Sequence, residues 1–284
     1  MIHLTSFADS QYRKACKRLL LQAQNSGFFD SINLANEKTL PVSFINKHKQ
    51  ILNNGIRGYG YWIWKPRIIL QEMLSLKKGD VLIYVDVGCH INSKGKQRFL
   101  EYISAVNNSP CGILCFSPSK ELVQNFHPDF TYPEHLNCEW TKGDLLSRFK
   151  LIDDNIFLNK PQLIAGIIII QVNSISLAVV EEWLHLCEEN YSFINDEASV
   201  NPNPKEFIQH RHDQSVLNCV LYKNSIEPVE MSYYDTWPGR PNPGKKIMWD
   251  LLKLTPIHAK RDTARYRTDA LVALIRKNLA SVTI

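Results

Sequence analysis

Lys77-Lys-Gly-Asp80-Val81-Leu-Ile-Tyr-Val85-Asp86-Val-Gly88 decides the fold class. The Lys-Lys-Gly-Asp segment is turn chemistry. The run Val81–Val85 is continuously apolar and β-prone, which marks a strand buried on both faces of a sheet. Asp86 then falls at the carboxyl end of that strand, where open α/β sheets bind their ligands. Hard cations accept one or two carboxylates together with substrate phosphates. Asp86 therefore reads either as a ligand-site carboxylate or as a cap of the following turn.

Working outward, Ile2–Phe7 reads as a first strand and Asp9–Gln24 as a helix with its Lys/Arg face toward solvent, ended by Gly27. A short helix is expected over Phe44–Leu52. Gly55 to Pro66 is a glycine- and aromatic-rich loop, and a helix follows to Leu76 with Pro66 in its first turn. Downstream, Arg98–Val106 is helical, Gly112–Phe116 a short strand, 127–143 irregular, Gln162–Val172 a second long buried strand and Ile175–Asn190 a helix. Residues 195–206 form a loop and Gln214–Tyr222 a helix. Thr236–Gly244 carries three prolines and two glycines, too many for regular structure. Strands alternating with helices, without a linker or repeat, predict one α/β domain with a mixed sheet and a less regular C-terminal portion.

Composition sets the outer limits. The 284 residues fit one large α/β domain or two smaller ones. A hydrophobic share of 44% with 21% charged residues is that of a globular chain and excludes a disordered one. The longest apolar run, Leu163–Ile170, is far short of the ~20 residues that span a bilayer. A net charge of +5 is too mild for a nucleic-acid binder; it suits a phosphate-bearing ligand or an anionic membrane surface. Seven cysteines give no even disulfide framework, and Cys111 and Cys115 lack a second pair for zinc. The first 18 residues lack the apolar stretch of a signal peptide, so a cytoplasmic location is expected.

Three further clusters carry chemistry. Ala165-Gly166, inside an apolar strand, marks either tight packing or close approach of another group such as a sugar ring. His210-Arg-His212-Asp213-Gln214 opens a helix. It fits a polar helix start capped by Asp213, or a metal site if the segment is extended, since i and i+2 diverge on a helix. Pro256-Ile-His258-Ala-Lys260-Arg261 is either a basic surface turn or a site for a metal and a diphosphate together.

In this order the motifs resemble glycosyltransferase family 8 and its GT-A relatives. Tyr84-Val-Asp86-Val-Gly88 is similar to the family's Asp-x-Asp strand end, Ile164-Ala165-Gly166 to its small-residue strand, and Asp213-Gln214-Ser-Val-Leu-Asn218 to its Asp-Gln helix. Ile257-His258 with Lys260 is similar to its Ile-His motif. Gly58-Tyr-Gly-Tyr-Trp-Ile-Trp-Lys65-Pro66 also resembles a block of bacterial polysaccharide glycosyltransferases. The likeness implies a GT-A-like domain over residues 1–262. It implies transfer of a hexose, galactose or glucose foremost, from a UDP-sugar to a saccharide acceptor in cell-surface polysaccharide synthesis, with retention of configuration. It places Gln214 and Asp213 at the reacting sugar. Thr5, Phe7, Asp9, Lys65, Tyr84, Asp86, Gly88, Ala165, Gly166, Lys260 and Arg261 would lie along the donor. Mn²⁺ or Mg²⁺ would sit on Asp86 and His258. Two departures stand out: Gly88 replaces the second Asp, and the family's Gly-x-x-Lys-Pro-Trp is missing after His258. His90 could reach the same ion as Asp86 only if Gly88 turns sharply, because four extended residues span ~13 Å.

Two other readings remain at this stage: a nucleotide-sugar or carbohydrate binder that has lost turnover, and a metal-dependent phosphoesterase built on His210, His212 and Asp213. Residues 263–284 predict a basic amphipathic helix. It would either pack on the domain or rest peripherally on the inner face of the membrane, near a lipid-linked acceptor.

Overall fold

The computed structural model describes residues 1–124, 134–236 and 253–262. Eight strands are present among them: β1 (Ile2–Phe7), β2 (Ser31–Ala35), β3 (Val81–Val85), β4 (His90–Ile91), β5 (Ile113–Ser117), β6 (Ile164–Gln171), β7 (Val229–Ser232) and β8 (Ile257–His258). Six form one mixed sheet in the order β2-β1-β3-β6-β5-β7. β2, β1 and β3 run parallel, as do β5 and β7, while β6 lies antiparallel between β3 and β5. β4 and β8 pair separately.

The two apolar strands sit at the centre because both of their faces are covered. Leu82 and Tyr84 of β3, with Ile168 and Ile170 of β6, face the core beneath helices Trp64–Met73, Ser174–Glu189 and His212–Lys223. Ile83 and Val85, with Ile167 and Ile169, face the opposite core beneath helices Arg13–Ser26 and Lys96–Asn107. The alternation is the period of two of a pleated strand. The result is a helix–sheet–helix sandwich, the α/β arrangement expected from the order of elements.

Most element boundaries lie within a few residues of expectation. The first helix begins late because the Asp9 carboxylate accepts the Gln11 N–H at 2.8 Å and opens a 3₁₀ turn over Ser10–Tyr12 first. β2 and β7 escape sequence reading because each is short and only partly buried. The helix Gly143–Phe149 escapes it as well. Within the stretch expected to be irregular, Asn137–Trp140 forms one helical turn. Among the described residues no helix is long and apolar enough to cross a membrane. The expected amphipathic helix of residues 263–284 lies outside the described residues, as does most of the proline-rich segment after Thr236.

One local conformation shapes the site. From Gly58 to Trp62 the backbone stays left-handed, with φ of 61°, 54°, 94°, 54° and 61°. Tyr59, Tyr61 and Trp62 each accept a strain of about 1–2 kcal/mol there. Gly58 is required: a methyl group on it would stand 2.4 Å from the Trp62 ring. The Trp64 indole N–H donates to the Gly58 carbonyl at 2.8 Å and closes the turn.

Candidate active site

A cavity of about 800 Å³ opens beyond the carboxyl ends of β1 and β3, where ligand crevices form in open α/β sheets. Its base is ionic. Lys65, in the first turn of the Trp64–Met73 helix, is buried, with its Nζ 3.0 Å from Asp213 Oδ2 and 3.6 Å from Asp86 Oδ1. The same ammonium donates to the Ala165 carbonyl at 3.2 Å. Burial disfavours the charged amine, but the Asp213 and Asp86 carboxylates outweigh it and hold Lys65 above its ordinary value. Burial raises the Asp213 carboxyl to about 6, against the pull of Lys65.

Tyr84 donates its hydroxyl to Asp86 Oδ1 at 2.7 Å. Burial, followed by the neighbouring Asp86 charge, pushes that phenol well above its usual range and keeps it a donor. Gly166 is small for a reason: a methyl group there would stand 2.9 Å from Asp86 Oδ2. The close approach read from Ala165-Gly166 is thus to a carboxylate. Gln214 accepts the Ala165 N–H at 3.1 Å and donates to Gln162 Oε1 at 2.8 Å, tying the Asp-Gln helix to the start of β6. Asp213 does not cap its helix. Its carboxylate turns to Lys65 instead, and the His212 backbone adopts a left-handed φ of 51°.

Of the residues expected along the donor, Phe7, Asp9, Lys65, Tyr84, Asp86, Gly88, Gly166 and Arg261 line this cavity, together with Asp213 and Gln214. Phe7 stacks on Trp64 at 4.0 Å. Thr5 is buried in β1, in register with Asn33 and Tyr84, and is not among the lining residues. Ala165 contributes through its backbone rather than its side chain.

His258 and Lys260 do not line the cavity, whereas Ala259 and Arg261 do. His258 pairs with His90 across β4 and β8 and reaches Thr255 Oγ1 at 3.1 Å. β8 ends at His258, and Arg261 three residues on takes a left-handed φ of 52°, so the chain has left the strand where it enters the lining. His90 is also turned away, bonded to Asp262 Oδ2 at 2.9 Å and Gln22 at 3.2 Å.

The chain's donor set does not fit the divalent cation that the family resemblance implied. Asp86 is the single carboxylate at the strand end. One of its oxygens already accepts from Tyr84 and faces the Lys65 ammonium, which would repel a dication placed beside it. Where Asp-x-Asp would carry its second carboxylate, a methyl group on Gly88 would stand 3.0 Å from the Arg261 Cα. Among the described residues no group of three His, Cys, Asp or Glu side chains gathers to hold a metal.

The two histidines of the alternative phosphoesterase reading are engaged elsewhere. His210 and His212 bond the Phe193 and Ile194 carbonyls at 2.8 and 2.7 Å. Burial depresses them to about 3 and about 4, so both are neutral near pH 7.

Sequence reading missed Arg18. It belongs to the face of the first helix expected to be solvated, yet its guanidinium donates to Asp262 O at 2.6 Å, Val87 O at 2.8 Å and Cys89 O at 3.1 Å. No local signal could have found it, because all three acceptors are backbone carbonyls remote in sequence. Trp62, Arg57 and Arg211 also line the cavity. Trp62 packs 5.1 Å from the His212 ring and Arg57 lies 5.8 Å over Trp62.

No protein-family model matches the chain, and no curated protein matches it at significant similarity. Solved structures do. A glycosyltransferase involved in glycosylation of the major capsid of the virus PBCV-1 is similar over 96% of this chain and 98% of its own, at 11% identity and a TM-score of 0.50. Mouse xyloside xylosyltransferase 1 is similar over 91% of this chain and 84% of its own, at 10% identity and a TM-score of 0.45. The first likeness establishes the fold, a GT-A-like mixed sheet flanked by helices.

Proposed function

We propose that this chain, with its GT-A-like fold, is a glycosyltransferase that moves a hexosyl group from a nucleoside diphosphate sugar to a saccharide hydroxyl. The observation that carries the reading is the Asp86–Lys65–Asp213 array at the base of the cavity. A sugar offers many hydroxyls, and pre-oriented carboxylates are strong acceptors for them. A diphosphate brings negative charge, and Arg261 lines the same cavity beside Gly88. The aromatic wall of Tyr59, Trp62 and Trp64 supplies flat apolar faces for sugar rings or a nucleobase.

In the reaction proposed, the bond from the anomeric carbon to the β-phosphate oxygen breaks and its electron pair stays on the diphosphate. The acceptor oxygen bonds to the anomeric carbon, and its proton passes to the leaving phosphate, with retention of configuration. Asp213 and Gln214 are assigned to the reacting sugar, and Asp86 to orienting its hydroxyls. UDP-galactose or UDP-glucose is the donor proposed, and a saccharide of cell-surface polysaccharide, lipid-linked in the cell, is the acceptor proposed. The test is UDP release from these two donors by the full chain, with and without simple glycosides. Turnover that falls at least about 100-fold in Asp213→Asn supports the reading. Failure of both donors to turn over and to raise the melting temperature overturns it.

A further inference from the structure

The second carboxylate of Asp-x-Asp is missing, and the space it would need is filled. The segment Ala259–Asp262 lies over the strand end, with the Asp262 N–H donating to Gly88 O at 3.0 Å and the Arg261 Cα 3.0 Å from where a Gly88 methyl would stand. Arg18 fastens that strap by bonding Asp262 O on one side and Val87 O and Cys89 O on the other. The Arg18 guanidinium also lies 3.4 Å from Asp262 Oδ2, and His90 Nε2 lies 2.9 Å from it. Held this way, Arg261 keeps a left-handed φ of 52° and contributes to the cavity lining. Non-glycine residues persist in that region only where the surroundings enforce it.

The Arg261 backbone thus fills the edge where the motif would place a metal-binding carboxylate, and Arg261 joins the cavity lining. Lys65 is held between Asp86 and Asp213 and on the Ala165 carbonyl, so its charge is already paired. The described lining carries Arg57, Lys65, Arg211 and Arg261 against Asp9, Asp86 and Asp213. We propose that Arg261 neutralises the donor diphosphate, so that sugar transfer proceeds without a divalent cation. The inference rests on the transferase reading above. It requires that the charge left on the diphosphate when the anomeric C–O bond breaks be balanced by guanidinium groups. Arginine suits the task because its planar fork donates two parallel hydrogen bonds to phosphate. Arg18 is then a positioning residue: it touches no substrate and holds the backbone that aims Arg261.

The test uses the full chain, freed of metal with EDTA and desalted. UDP binding is measured by calorimetry, and UDP release from UDP-galactose and UDP-glucose by assay, each in EDTA and in excess Mn²⁺. The inference expects both quantities to agree within about threefold between the two buffers. Arg261→Gln should weaken UDP by about tenfold in EDTA, the size of one charge-assisted contact, with Arg261→Lys recovering part of it. Arg18→Gln should raise the KM for donor more than it lowers kcat. A tenfold or larger gain from Mn²⁺ overturns the inference, as does Arg261→Gln binding UDP like the wild type. If UDP binds in neither buffer and no donor is consumed, the transferase reading itself falls and this inference with it.

Discussion

The Lys65 ammonium stands 3.0 Å from the Asp213 carboxylate, and both side chains are buried. A lone charge at such a place is costly, and removing one partner of a buried pair typically destabilises by about 3–5 kcal/mol. Lys65→Met, which keeps the apolar stem, should therefore lower unfolding stability by roughly 3 kcal/mol in urea titrations. Adding Asp213→Asn to it should recover part of that loss, because the orphaned charge is gone. A loss under about 1 kcal/mol would mean that solvent reaches the pair.

The second prediction concerns pH. Burial lifts Asp213 from 3.8 to about 6 in the folded chain. The folded state therefore holds this proton more tightly than the unfolded state. The contribution to stability is greatest below pH ~3.8 and is lost as pH rises through about 6. Activity should run the opposite way, since the ionised carboxylate is the form that pairs with Lys65. The kcat/KM profile should show an acid limb near pH 6, absent from the residual activity of Asp213→Asn.

His210 provides the counter-trend. Burial depresses it to about 3, so the folded chain keeps it neutral while the unfolded chain protonates near 6.5. Its contribution is intact above pH 6.5 and is lost as pH falls toward 3, by about 1.4 kcal/mol per pH unit for one histidine. His210→Gln should flatten this slope in urea titrations between pH 6.5 and 4.5. An unchanged slope would place the acid sensitivity elsewhere.

Gly88→Ala tests the strap. The added methyl would stand 3.0 Å from the Arg261 Cα and 3.3 Å from its carbonyl carbon, so backbone must give. The expected stability cost is modest, about 1 kcal/mol. UDP affinity should fall by more than that cost implies, since displacing Arg261 weakens a charge-assisted contact of about 1.5–3 kcal/mol. Wild-type affinity in this variant would show that the strap does not position the donor.

Gln214→Ala should lower kcat more than it changes UDP affinity. The Gln214 amide bonds the Ala165 N–H at 3.1 Å, and the Ala165 carbonyl in turn receives the Lys65 ammonium. Loss of the amide loosens the array at the reacting sugar and leaves the Arg261 edge intact. Equal losses of kcat and UDP affinity would move Gln214 from the sugar to the nucleotide.

Local pattern was enough for the scaffold. Val81–Val85 and the Ile164–Gln171 strand announce themselves because a strand covered on both faces must be apolar throughout. The helices Lys96–Asn107 and Ser174–Glu189 follow from apolar spacing, the second helped by its Asn173 cap. Asp86, Asp213 and Gln214 were legible as candidates because each stands at the end of such an element. β2 and β7 were not, since alternation over only five and four residues does not stand out from chance.

Sequence by itself thus determined the α/β order, the two central strands, Asp86 at the end of the first and Asp213 at the start of its helix. Only the tertiary structure decided what those groups meet. Lys65 joins Asp213 through packing of the Trp64–Met73 helix beside the sheet, and no spacing along the chain encodes that approach. Arg18 reaches Asp262 across 244 residues of sequence. His258 stays out of the cavity lining while Arg261 enters it, because the chain leaves β8 after His258 and Arg261 takes a left-handed φ of 52°, where strand alternation no longer fixes the side chain's face. A motif can therefore name the segment at a site and still misassign the residue that acts there.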